Sequence, residues 1–280
     1  MKHEVKRRRR GNSRSPQARR ADKYDLYQRS VQEPEADLQL VSRIFRSHYA
    51  QWPRLLREDF CGTAHMACHW VQRHAENRAW GIDLDPLPLE WGRRHNLARL
   101  RADQAARVKL IEGDVRSIGH QKVDITVAFN FSYFVFLTRA ELQHYFEKAR
   151  ATLKDRGMLV LDAYGGADAQ RTCEEERSLP GFKYVWDQHV FDPINHAARN
   201  YIHFEFPDGS RLRRAFTYDW RLWTLPEIRE LLTEAGFAEV ETYWEGTDSE
   251  TGEGNNIFTR RKSAQDDPAW VAYIAGITRP

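Results

Sequence analysis

Between residues 55 and 163, five short strand-like runs alternate with helical segments, and this alternation restricts the fold more than any other feature of the chain. Residues 55–60, 79–84, 108–112, 123–129 and 158–163 read as strands. Residues 62–73, 87–100 and 138–153 read as helices; in the last, Leu142, Tyr145, Phe146, Ala149 and Leu153 recur on one face. Strands that alternate with helices imply a largely parallel sheet covered on both faces. Right-handed crossovers then collect the loops after the strand C-termini along one edge, where open sheets of this kind hold ligands.

The flanking segments differ. Residues 22–30 read as a short helix carrying Tyr24 and Tyr27, and 36–49 as an amphipathic helix with Leu38, Val41, Ile44 and Phe45 inward. Residues 182–191, 197–206 and 211–218 are aromatic and β-branched, with a strong turn at Pro207-Asp208-Gly209-Ser210, and read as an antiparallel insertion. Thr224-Leu225-Pro226-Glu227 then starts a helix with a threonine cap, a proline in the first turn and a glutamate at N3. Residues 237–244 and 270–277 read as the last two strands, joined by a polar loop. The expected organisation is a disordered basic tail over 1–20, a helical lid over 21–54, a sheet domain over 55–164 and 224–280, and an inserted substrate lid over 165–223.

Each strand of the first half exits into residues suited to a ligand. The first leads into Asp59-Phe60-Cys61-Gly62-Thr63-Ala64, where glycine permits close backbone approach and the next helix offers free amides. The second delivers Gly81-Ile82-Asp83-Leu84-Asp85, and an acid at Asp83 can accept both hydroxyls of a ribose. The third ends at Glu112-Gly113-Asp114-Val115, the fourth at Asn130-Phe131-Ser132-Tyr133. The full G-x-G-x-x-G pattern of dinucleotide sites is absent.

At these positions the chain resembles the class I S-adenosylmethionine (SAM)-dependent methyltransferases, over roughly residues 55–277. The resemblance implies a Rossmann-like seven-stranded sheet, with the antiparallel insertion and N-terminal helices as substrate lids, and SAM as cofactor. It places the methionine part of SAM at Gly62 with its neighbours Asp59, Cys61 and Thr63, and the ribose at Asp83 beside Leu84. It places adenine at Asp114 and Val115, and the sulfonium and substrate at Asn130 and Phe131. This chain has Ala64 where many members have a second glycine. It also lacks the Asn/Asp-Pro-Pro-Tyr signature of enzymes that methylate base or glutamine nitrogens, so neither acceptor is inferred.

Acceptor chemistry is less marked. Tyr133, His189 and His203 are the candidate catalytic residues, Tyr27 a candidate donor contact, and Tyr164 and Arg221 candidate substrate contacts. Tyr184, Trp186, Tyr218, Trp220 and Trp223 suggest a pocket wall suited to a planar molecule. Cys61 reads as a packing residue, no cluster has metal-ligand spacing, and no G-x-S-x-G elbow supports a serine hydrolase.

Charge and cysteine content bound the partners. The net charge of +3 hides a tail, residues 1–20, with nine Lys or Arg against one Glu; the remainder is acidic by five. Such a tail can meet nucleic acid nonspecifically, and no other nucleic-acid contact is expected. Three cysteines form no disulfide framework, no signal sequence is recognisable, and no run approaches a membrane-spanning length. The expectation is a cytoplasmic methyltransferase acting on a small molecule, with RNA or protein methylation, a noncatalytic SAM-binding regulator and a nicotinamide-dependent oxidoreductase as the alternatives.

Overall fold

The computed structural model describes residues 16–119, 121–248 and 254–279. Three helices come first: α1 (Gln17–Arg20), α2 (Lys23–Val31) and α3 (Pro34–Tyr49). The alternating part runs β1 (Leu55–Asp59), α4 (His65–Arg73), β2 (Arg78–Asp83), α5 (Pro86–His95), α6 (Ala102–Ala105), β3 (Val108–Glu112), β4 (Val123–Ala128), α7 (Arg139–Ala151) and β5 (Leu153–Gly165). Four strands follow, β6 (Cys173–Leu179), β7 (Phe182–Asp192), β8 (Ala197–Glu205) and β9 (Arg211–Arg221). The closing elements are α8 (Leu225–Glu234), β10 (Glu239–Thr247), β11 (Gly254–Arg261) and β12 (Trp270–Ile277).

The main sheet has the order β11-β10-β12-β5-β4-β1-β2-β3. Strands β3-β2-β1-β4-β5 are parallel, and β12, β10 and β11 add antiparallel. Strand order reverses between β1 and β4, which makes the C-terminal ends of those two strands the switch point where such sheets bind ligands. Every residue of β4 is buried, as expected for a strand covered on both faces. One core layer holds Leu38, Val41 and Phe45 of α3, Trp70 of α4 and Leu89 of α5; the opposite layer holds Tyr145 and Phe146 of α7 and Leu231 of α8. Thr138 and Thr224 cap α7 and α8 through reciprocal bonds with Glu141 and Glu227, as the Thr-x-x-Glu spacing of each predicts.

The expected Rossmann-like architecture with its insertion and N-terminal helices is present, with two corrections to strand number. The main sheet has eight strands, not seven, because residues 254–261 of the polar loop pair with β10. The insertion has four strands, because β6 pairs with β7. Both additions are edge strands of mostly charged or polar sequence, GNNIFTRR and CEEERSL, which bury little apolar surface and show no hydrophobic alternation. Helix α5 also stops at His95, short of residue 100.

Of the basic tail, residues 1–15 lie outside the described residues. Residues 17–20 are helical rather than disordered as expected, because the amides of Gln17 and Ala18 donate to Asp208 Oδ2 (2.7 Å) and Ser210 Oγ (3.0 Å) in the β8–β9 turn. No helix among the described residues is long and apolar enough to cross a membrane.

Candidate functional site

The turn after β1 alternates into left-handed backbone at Phe60 (φ 57°), Gly62 (φ 51°) and Ala64 (φ 55°), a conformation that favours glycine. Four contacts hold it there. The Cys61 amide donates to Ile82 O (2.9 Å), and the Gly62 amide to Asp83 Oδ2 (2.7 Å). Asn96 Nδ2 donates to Thr63 O (2.9 Å), and Gln28 Nε2, from α2, to Thr63 Oγ1 (2.6 Å). A methyl group on Gly62 would meet no atom within 4 Å, so the turn faces open space at its glycine. A methyl on Gly92 would lie 2.3 Å from Thr63 O, so α5 lies directly against the turn.

Asp83 accepts from Gly62 N and, through Oδ1, from Asp85 N (2.9 Å). Burial raises its carboxyl above the ordinary range, and those amides pull it back. Leu84 is exposed beside it. Asp114 pairs with the Arg116 guanidinium (2.6 Å), which holds its carboxyl below the ordinary range, and Val115 is buried. Asp59 differs from the sequence expectation. It is 1% exposed, with its carboxylate taken by Arg57 Nε (2.6 Å) and the Tyr145 hydroxyl (3.0 Å), so it braces the strand end from within the core. Cys61 packs against Gly81, and burial pushes its thiol up, away from the reactive thiolate.

A cavity of about 1000 Å³ opens at the ends of β4 and β5. Helices α2 and α3, the insertion sheet and β10–β12 wall it, and Tyr27, Asn130, Phe131 and Tyr164 all line it. Asn130 and Phe131 are both left-handed (φ 57°), and their amides donate to Asp162 Oδ2 (2.7 Å) and Oδ1 (2.9 Å). Burial pushes the Asp162 carboxyl up to about 8 against the pull of those amides. Burial likewise pushes Asp37, on α3, up to about 6, although the Tyr273 hydroxyl donates to it (2.5 Å). Asp37, Phe129 and Asn130 line both this chamber and a cavity of about 20 Å³ at the end of β1. Gly62, Asp83 and Asp114 lie outside the chamber wall.

The three candidate catalytic residues do not reach the chamber. Tyr133 is fully buried and its hydroxyl donates to Asp162 O (2.8 Å). His189 and His203 lie on the far face of the insertion sheet. Strand alternation turns Tyr184, Trp186, Gln188 and Ile202 toward the chamber, and the residues between them away from it. His203 accepts from the Arg214 amide at Nδ1 (2.7 Å) and meets Asp187 through Nε2 (3.1 Å). Arg221 pairs with Glu227 (2.8 Å) over the Trp223 ring and does not line the chamber either. Of the five aromatics expected in the wall, Tyr184, Trp186, Tyr218 and Trp220 line it, while Trp223 is a core residue.

Among the described residues, two clusters bring three potential metal ligands together, His48-Glu239-Glu241 and Glu174-Asp187-His203. Ion pairs occupy their carboxylates: Glu239 with Arg279, Glu241 with Arg260, and Glu174 with Arg211. With Nδ1 of His203 accepting an amide, neutral His203 carries its proton on Nε2, where a metal would need a lone pair.

Residues 60–157 match the model of a family described as a methyltransferase domain. The comparison with curated proteins returned no match. Among solved structures, Streptomyces venezuelae DesVI is 19% identical with a TM-score of 0.65, over 92% of this chain and 98% of that one. A SAM-dependent methyltransferase from Clostridium acetobutylicum ATCC 824 is 14% identical (TM-score 0.63, 91% and 97% covered). The sugar N-methyltransferase KedS8 from Streptoalloteichus sp ATCC 53650 is 18% identical (TM-score 0.61, 92% and 93% covered). These likenesses carry the fold from lid to closing strands, and the family match covers the first glycine turn through the start of β5. The family match gives residues 60–157 a methyltransferase domain, and the strand order, the left-handed glycine turn and the acid ending β2 agree with the fold that these structures share.

Proposed function

We propose that the chain transfers the methyl group of SAM to a small molecule held in the 1000 Å³ chamber. The observation that carries this reading is the chamber itself. It sits at the strand edge beside the glycine turn, enclosed by lid helices and an inserted sheet, at a size suited to a small ligand. KedS8 is named as a sugar N-methyltransferase, and CalS10 as an amino pentose methyltransferase bound to SAM, which supports a small-molecule acceptor on this architecture.

The residues present fit the cofactor. Open space at Gly62 admits a ligand against the backbone, and Asp83 retains lone pairs beyond its two amide contacts for a ribose. Gly62, Thr63 and Asp83 would hold SAM, with Leu84 and Val115 beside its base and Asn130 and Phe131 toward the acceptor. Bound SAM supplies a methyl group already activated on positive sulfur. The protein orients the acceptor and excludes water, which accounts for much of the rate without a covalent intermediate. Asp162 takes the positioning role, since its carboxyl fixes the Asn130–Phe131 turn in the chamber wall.

Asp83→Asn is expected to weaken SAM binding about 5- to 150-fold, from loss of a charge-assisted bond worth about 1–3 kcal/mol. Isothermal titration with SAM reads this directly. An unchanged dissociation constant in a folded variant would remove Asp83 from the donor site.

A further inference from the structure

Resting on that reading, we infer that the acceptor is a protonated amine, N-methylated with the Asp37 carboxylate taking its proton. Seven carboxyl groups line the chamber against two guanidinium groups; Asp168 pairs with Arg171 and Glu176 with Lys183, which leaves Glu33, Asp37, Asp162, Glu175 and Glu245 outside any ion pair among the described residues. Neither guanidinium is free. Arg43 donates to Phe258 O, and Arg177 donates to Ser30 O and lies over the Tyr184 ring. An anionic acceptor would therefore enter an acidic chamber whose positive groups are already engaged. A cation meets carboxylates and aromatic faces, including Tyr27, Trp186, Tyr218 and Trp270, which attract it through the ring quadrupole.

Asp37 is placed for the proton transfer. It lines both the chamber and the small cavity at the end of β1, so it stands where the two compartments meet. Glu33 on its own helix, Tyr273 on β12, Asp162 on β5 and Glu58 on β1 are the titratable groups that face it. With its carboxyl at about 6, Asp37 is ionised at pH 7.5 and can accept a proton. A second, independent observation points to a bound oxygen. Trp220 lines the chamber, is 3% exposed, and its indole N–H has no hydrogen-bond partner. A buried donor left unpaired is costly, and a hydroxyl or ether oxygen of the ligand relieves it.

The step balances as follows. The ammonium gives its proton to Asp37, and the nitrogen lone pair forms the new C–N bond. The C–S bond breaks with its electron pair going to sulfur, leaving neutral S-adenosylhomocysteine and a methylated ammonium ion. Asp37 then releases its proton to water.

Three probes of one shape test this: tyramine, tyrosol and 4-hydroxyphenylacetate, each titrated calorimetrically at pH 7.5 into the full chain saturated with S-adenosylhomocysteine. Tyramine is expected to bind at least tenfold tighter than either of the others. Asp37→Asn should weaken tyramine at least tenfold while leaving tyrosol and SAM within twofold. Tyr273→Phe, which keeps the carboxylate, should retain the tyramine preference and so separates charge from packing. Equal or better binding of tyrosol or 4-hydroxyphenylacetate overturns the inference, as does an Asp37→Asn variant that still prefers tyramine, or no binding by any of the three. Failure of the wild-type chain to bind SAM overturns the methyl-transfer reading instead, and the SAM titration shows which has failed.

Discussion

Gly92→Ala is expected to destabilise the protein by about 3 kcal/mol, although alanine is the better helix former and glycine alone costs a helix about 1 kcal/mol. The added methyl would lie 2.3 Å from the Thr63 carbonyl oxygen and 2.8 Å from its carbon, and backbone cannot rotate aside as a side chain can. Either α5 or the glycine turn must move. In a chain of this size, 3 kcal/mol lowers the melting temperature by roughly 6–12 °C, readable by calorimetry. Gly62→Ala is the control, because its methyl meets no atom and the expected cost is about 1–2 kcal/mol for a left-handed alanine. The two glycines thus separate: Gly92→Ala should lose stability, Gly62→Ala mainly SAM affinity. Equal melting temperatures for wild type and Gly92→Ala would show that α5 does not press on the turn.

Asp162→Ala is expected to cost about 3–5 kcal/mol, since it leaves the Asn130 and Phe131 amides without acceptors in a left-handed turn and opens a hole. The pH dependence carries a sign. Burial raises the folded-state carboxyl from its model-peptide value near 4 to about 8, so between those values the folded protein holds a proton that the unfolded chain has released. Stability from this group is therefore fully present below about pH 4 and is lost as pH rises toward 8. Glu58, also pushed to about 8 by burial, acts in the same direction. Asp162→Asn removes the titration but turns an amide NH₂ toward a backbone N–H. It should be less stable than wild type at pH 5, with the gap narrowing by pH 9. Urea denaturation at the two pH values measures this, and a gap that widens with pH would contradict the assignment.

The strand ends around the glycine turn are legible because local chemistry fixes them. A glycine after an apolar run and an acid ending the next run carry their meaning within a few residues, as with Gly62 and Asp83. The acceptor side was not legible in the same way. Asp162 serves amides 31 and 32 residues away, and Asp37 meets a tyrosine 236 positions along the chain. No local pattern encodes such pairs, although an acid inside the run Met158-Leu159-Val160-Leu161-Asp162-Ala163 was a visible oddity. His189 was avoidable. With Tyr184 and Trp186 assigned to a pocket wall, the period of two along a strand already turns Asp187 and His189 to the other face. His203 misled for a different reason, since its burial and its bonds to Asp187 and Arg214 belong to the folded sheet. The edge strands β6 and β11 escaped because their pairing is a main-chain matter that polar side chains do not announce.

Helix α2 touches both the glycine turn and the chamber. Gln28 bonds to Thr63 in the glycine turn, while Leu26, two residues earlier, packs with Phe182, Ile202 and Phe204 of the insertion sheet, and Tyr27 lines the chamber. Nine residues of helix therefore serve as a shared wall. If the glycine turn holds the methyl donor and the chamber the acceptor, as proposed, a displacement of that wall which loosens one side loosens the other, and the two affinities are expected to be thermodynamically linked. Linkage of this kind is reciprocal: whatever factor the donor adds to acceptor binding, the acceptor returns to the donor.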